Sequence, residues 1–115
     1  MTIERLENGP RFCRVLRYNG TVYVAGLTAD DLSGDTTAQT EQILAKIDAL
    51  LAKAGSDKSK LLSATIYITD MKTFQEMNAV WDAWVSPGNT PARATVEAKL
   101  ASPQYNVEIM VVAAK

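Results

Sequence analysis

Histidine is absent from the 115 residues of this chain. That removes Ser-His-Asp and Cys-His nucleophilic schemes and most zinc sites, so proton transfer falls to a carboxylate, a lysine, a tyrosine or a bound water. Cysteine is nearly absent as well, since Cys13 stands alone. An intrachain disulfide is therefore excluded, and a reducing, cytoplasmic setting is expected. With one thiol and no imidazole, a tightly held transition metal is not expected. No apolar run approaches the ~18 residues of a membrane span. The opening Met1-Thr2-Ile3-Glu4-Arg5 lacks the charged-then-apolar order of a signal peptide. An excess of one charge is also missing: 12 basic and 13 acidic residues leave a net charge of −1. Such a balance offers no electrostatic footprint for nucleic acid or an anionic membrane. Gly-rich phosphate loops and Cys-x-x-Cys pairs do not occur.

What is present reads as a single domain over residues 1–115, with no linker or repeat and enough length to bury a core. Arg14 to Tyr18 and Thr21 to Leu27 flank Asn19-Gly20, a strong hairpin signal because both residue types tolerate positive φ. A helix is expected from Asp35 or Thr36, where Thr36-Thr37-Ala38-Gln39 fits a capping box. Ile43, Leu44, Ile47, Leu50, Leu51 and Ala54 recur at helical spacing, and Gly55 supplies the stop. Leu62 to Thr69 alternates as a strand does. Asp70 is expected to cap a second helix, with Phe74, Met77, Asn78, Trp81, Trp84 and Val85 along one stripe. Ala92 to Leu100 and Asn106 to Ala113 read as two closing strands. The order ββαβαββ is an α+β layout with two helices packed on one face of a sheet.

Chemistry concentrates in Thr90-Pro91-Ala92-Arg93-Ala94-Thr95-Val96-Glu97 and Val107-Glu108-Ile109. An arginine on a strand that reads as buried is costly unless paired. Its planar fork matches a carboxylate, so a small carboxylic acid is one occupant, and a structural Arg93–Glu108 ion pair is the other. Alternation predicts Ala92, Ala94, Val96, Ala98 and Leu100 under the helices, with Arg93, Thr95, Glu97 and Lys99 on the second face. Glu108, Met110 and Val112 share a mixed face of the last strand, which suggests burial in an oligomer. Trp81 and Trp84 read as core packing, Cys13 as a small packed residue, and Asn78 as an amide that demands partners.

The blocks Gly20 to Gly26, Gln42 to Gly55, Ala64 to Asp70, Phe74, Asn78, Pro91-Ala92-Arg93 and Val107-Glu108-Ile109, taken in order, resemble the Rid family. That family is also known as YjgF/YER057c/UK114 and as endoribonuclease L-PSP. The length and the Asn78-to-Trp84 segment are most similar to its short YoaB-like branch. The resemblance implies a chorismate-mutase-like protomer, a homotrimer and ligand clefts between subunits. It implies hydrolysis of reactive enamine and imine intermediates of amino acids to 2-keto acids and ammonia, without a cofactor. Arg93 would hold the substrate carboxylate, Glu108 would position or deprotonate water, and Asn78 would support the site.

Several positions depart from the deaminase pattern. Phe12 falls where a tyrosine is usual, Ala25 replaces a serine, Leu27 a glutamine, Thr95 a cysteine, and Met110 a second glutamate. These substitutions make the expected pocket more apolar. They leave open a second reading, a non-catalytic trimer that binds 2-keto acids or other small carboxylates as a sensor. Ribonuclease activity is disfavoured, because there is neither a histidine for 2′-OH chemistry nor a basic groove.

Overall fold

The computed structural model describes residues 2–115. Its strands are β1 (Glu4–Arg5), β2 (Val15–Tyr18), β3 (Thr21–Leu27), β4 (Leu61–Ile68), β5 (Ala92–Glu97) and β6 (Val107–Ala114). Two helices, α1 (Thr36–Lys53) and α2 (Phe74–Trp84), pack on one face. The strands form one mixed sheet in the order β1-β2-β3-β6-β4-β5. Among the described residues only β4 and β5 pair in parallel, and the crossover between them carries α2, as a parallel connection requires. The hairpin forms where expected: Asn19 and Gly20 adopt φ values of 54° and 76°, and Tyr18 pairs with Thr21. Two positive φ angles give the turn the twist its strands need.

The core lies between the helices and the inner sheet face. Ile43, Ile47 and Leu51 of α1 are wholly buried with Val22, Ile66 and Ile109 of the sheet. Each such side chain contributes about 1.5–3 kcal/mol through loss of contact with water. Asp35, not Thr36, caps α1: its carboxylate accepts from the Ala38 amide at 2.9 Å. Thr36 is already helical and its carbonyl accepts from the Thr40 hydroxyl at 2.7 Å. Gln39 turns inward instead of back to the helix start. Asp70 caps a single 3₁₀ turn, Met71–Thr73, by accepting from the Lys72 amide at 2.9 Å, and α2 begins after that turn. Before β4 the chain makes another 3₁₀ turn, Lys58–Lys60, capped by Asp57.

The faces of β5 are the reverse of the sequence expectation. Arg93 and Thr95 stand opposite Ala64 and Ile66, which are 3% and 0% exposed under the helices. Ala92, Ala94 and Val96 point to the uncovered face, where Val96 is 42% exposed. The physical reason is that β5 is an edge strand. Its inner face meets only the rim of α2, where an arginine stem and guanidinium cover aromatic rings more completely than alanine methyls would. β5 also ends at Glu97 and not at Leu100. The Ala98 amide still donates to the Ile68 carbonyl at 2.9 Å, and the Glu97 carboxylate turns to accept from the Met71 amide at 2.8 Å. Strand β1 is a further departure: two residues are too few to show a period, and the Arg17–Glu4 pair at 2.7 Å ties it to β2.

Candidate functional site

Arg93 is half-buried on β5, and its guanidinium carbon sits 6.0 Å from the Phe74 ring centroid and 5.4 Å from that of Trp81. Both rings belong to one stripe of α2, seven residues apart, so the helix presents a cradle for a planar cation. No carboxylate among the described residues lies within salt-bridge distance of Arg93, so the structural Arg93–Glu108 ion pair is not formed in the protomer. Three buried side-chain polar atoms lack a partner among the described residues, and two of them flank this arginine. Thr95 Oγ1 is on the same face of the same strand. Asn78 Oδ1 springs from α2 between the two stacked aromatics. Unpartnered buried polar atoms are uncommon in folded proteins and mark places where a ligand or water completes the set.

Glu108 lies elsewhere. It is half-buried on β6, pointing out of the face that the helices leave uncovered, with Met110 and Val112. A bulge between Val24 and Leu27 of β3 inserts a residue beside it. Gly26 occupies that bulge, and a Cβ there would lie 2.3 Å from Glu108 Oε2. The glycine is thus the seat of the carboxylate. Glu108 lines a depression of about 330 Å³ with Tyr67, Leu100 and Met110. Gly26 also borders a second depression of about 330 Å³, lined by Phe12, Leu27 and Tyr105. Phe12 is 55% exposed there, whereas Leu27 is 3% exposed and belongs mainly to the core. Ala25 is half-buried next to Gly26. Among the described residues no group of three acidic or thiol side chains is placed to hold a metal ion.

The two charged residues are therefore on opposite sides of one sheet. Arg93 pairs with Ala64 and Glu108 with Tyr67, so they are two strands and three residues apart. At about 4.8 Å per strand and 3.3 Å per residue, their Cα atoms are separated by about 14 Å, with the side chains directed apart. A small carboxylate cannot touch both within one protomer.

Gln39, expected as the far end of the α1 capping box, has a different role. It is 1% exposed, its amide nitrogen donates to the carbonyls of Gly34 and Gln104 at 3.3 and 3.2 Å, and its oxygen accepts from the Asn106 amide at 2.9 Å. These bonds pin the loop that enters β6 two residues before Glu108. A glutamine within an otherwise apolar buried stripe was the available signal.

This sheet and helix pair define an α+β protein of the YjgF type. A crystal structure of a YjgF family member from Neisseria meningitidis matches it with a TM-score of 0.95 at 46% identity, covering 100% of this chain and 96% of that one. The family model described as endoribonuclease L-PSP matches residues 2–115. A RutC family protein of Haemophilus ducreyi is 47% identical over 112 residues, 97% of this chain and 96% of that protein. The RutC family protein YoaB of Escherichia coli is 46% identical over 114 residues, 99% of each. The chain belongs to the endoribonuclease L-PSP family, which includes these RutC and YjgF proteins. The likeness to the short YoaB branch seen in the sequence is borne out.

Proposed function

We propose that this protein is a homotrimeric hydrolase that deaminates reactive enamine and imine intermediates of amino acids, in clefts formed between subunits. The observation that carries this reading is Arg93: a half-buried guanidinium stacked on Phe74 and Trp81, without a carboxylate of its own, beside the unpartnered oxygens of Asn78 and Thr95. Glu108 faces the other way, so a second copy must supply the complementary half. The uncovered sheet face supports that assembly, since Tyr23, Val96 and Met110 are 44%, 42% and 39% exposed on it.

In the cleft, the Arg93 fork binds the substrate carboxylate and holds the C=N bond against the neighbouring subunit's Glu108 half. The Glu108 carboxylate accepts a proton from water as the water oxygen bonds to the imine carbon. The same proton passes to the nitrogen to complete the carbinolamine; its hydroxyl proton then moves to the amino nitrogen by way of Glu108 as the C–N bond breaks, so ammonia leaves and the carbonyl forms. An enamine enters the sequence after protonation at carbon. The imine carbon is already electrophilic, so positioning and proton transfer suffice and no cofactor is invoked.

The test generates 2-imino acids in place with an amino-acid oxidase and traps them with semicarbazide. Wild type should speed imine decay and Arg93→Ala should not. Failure of the wild type across small and aromatic imines would overturn the catalytic reading. One observation favours the second reading, a binder or sensor of 2-keto acids: Phe12 and Ala25 offer no hydroxyl, and no donor among the described residues bonds Glu108. For that case, calorimetry should detect carboxylate binding that Arg93→Ala removes.

A further inference from the structure

We infer that Tyr67 is a further catalytic residue of the proposed reaction, its hydroxyl sharing with Glu108 the task of holding the attacking water. The inference rests on the catalytic reading of Glu108 and adds to it the side chain that the sheet places beside that carboxylate. Strand β6 runs between β3 and β4, so Glu108 has a neighbour on each side. On the β3 side stands Gly26, which has no side chain and seats the carboxylate. On the β4 side the register sets Tyr67 directly opposite. Ile66 and Ile68 flank Tyr67 and are wholly buried under the helices, so alternation turns Tyr67 to the uncovered face that bears Glu108. The Cβ atoms of such a cross-strand pair are about 4.5–5.5 Å apart. Both side chains line the same depression.

Water that adds to an imine carbon must aim a lone pair at that carbon while one of its hydrogens goes to a base. Glu108 accepts that hydrogen, but a single hydrogen bond leaves the water free to rotate about it. A second acceptor for the other hydrogen removes that freedom, and orientation of this kind is a main source of rate where no cofactor takes part. The hydroxyl oxygen of a tyrosine is such an acceptor. Lys99 also lines the depression, but it lies past the end of β5, is exposed, and carries an ammonium that donates and has no lone pair to accept with. The remaining lining, from Gly26, two alanines, Leu100 and Met110, brings no side-chain oxygen. Among the described residues of this depression, Tyr67 is therefore the partner that chemistry allows for Glu108. It gains and loses no proton: every transfer stays with Glu108, and the hydroxyl contributes a hydrogen bond to the reacting water.

The semicarbazide-trapped imine assay reads this directly. Tyr67→Phe removes one oxygen and keeps the ring, so the half-buried packing of the strand is retained. Its kcat should fall about tenfold, the upper range for one neutral hydrogen bond. KM should hardly move, because the substrate carboxylate is held by Arg93 and the lost contact is to water. Tyr67→Leu, which discards the ring as well, should lose a similar factor. Two residues that hold one water act as a unit, so Tyr67→Phe added to Glu108→Gln should cost nothing beyond Glu108→Gln alone. Size-exclusion chromatography should show the wild-type assembly for each variant. An unchanged kcat in Tyr67→Phe, a loss confined to KM, a loss that accompanies dissociation, or losses that multiply in the double variant would each overturn the inference and leave the catalytic reading standing. A wild type inactive toward every imine would overturn both.

Discussion

Replacing Gly26 with alanine tests the placement of Glu108 more sharply than removing the carboxylate. The backbone at Gly26 is not left-handed, unlike that at Gly20, Gly55 and Gly88, so alanine meets no conformational penalty there. Its Cβ, however, lies 2.3 Å from Glu108 Oε2 and 3.1 Å from the carboxyl carbon. Real Cβ atoms do not approach other atoms closer than 3.0 Å, so the carboxylate must withdraw by at least 3.0 − 2.3 = 0.7 Å. A glutamate accomplishes that by torsion, at a cost of about 0.5–1.5 kcal/mol. With a urea m-value of about 1–3 kcal/mol/M, the unfolding midpoint should fall by about 0.2–1.5 M. Catalysis should suffer far more, because a displacement of about 1 Å costs about 100-fold in rate, or about 2.7 kcal/mol of barrier. The expected result is a kcat lowered about 100-fold in the imine assay, with a urea midpoint lowered by no more than about 1.5 M. A kcat within about threefold of wild type would refute the reasoning, since Glu108 would then act from some place other than above Gly26.

Gln39→Ala removes all three bonds of a buried amide and leaves the Asn106 amide unsatisfied. At about 1–3 kcal/mol per stranded group, a loss of about 3 kcal/mol is expected in urea unfolding, with faster hydrogen exchange at Asn106. Arg93→Lys keeps the charge but discards the planar fork and its stacking, so KM should rise about tenfold or more, and an unchanged KM would mean that a point charge suffices. Asp57 has its carboxyl held below the ordinary 3.8 by hydrogen bonds from the Ser59 hydroxyl and then the Ser59 amide. Its folded value is depressed, so its contribution is complete above the ordinary value and is lost as pH falls through the depressed one. Asp57→Ala should therefore melt at a lower temperature than wild type at pH 7, and the gap should narrow as the pH falls below the usual carboxylate range.

Legibility from the sequence followed the strength of local signals. The Asn19-Gly20 turn, the Ile43-to-Leu51 stripe and the Leu62-to-Thr69 alternation each specify a local conformation almost alone, and each element formed there. Alternation in Ala92 to Glu97 divides the strand into two faces without saying which is inner. Small apolar residues suggested the core side, but position in the sheet decided the matter: at an edge, Phe74 and Trp81 were better covered by Arg93. The same error concealed the separation of Arg93 from Glu108, because blocks that follow one another along the chain do not report opposite faces. Gly26 read only as part of a family block; its role as the seat of a carboxylate depends on a bulge that no sequence period announces. Gln39 was assigned to a local cap because the rival partners, Gln104 and Asn106, are more than sixty residues away.

The back-to-back disposition of Arg93 and Glu108 has a genetic consequence on the trimeric reading. Each cleft borrows its guanidinium from one copy and its carboxylate from the next, so defects add by cleft and not by subunit. A copy lacking both residues silences two clefts of its ring, whereas a copy lacking one silences a single cleft. Two variants that are each dead, Arg93→Ala and Glu108→Gln, should regain activity when unfolded together and refolded as a mixture. With random assembly in a closed ring, roughly a quarter of the clefts inherit an intact pair. Complementation between two inactive proteins would then be a property written into the two faces of one sheet.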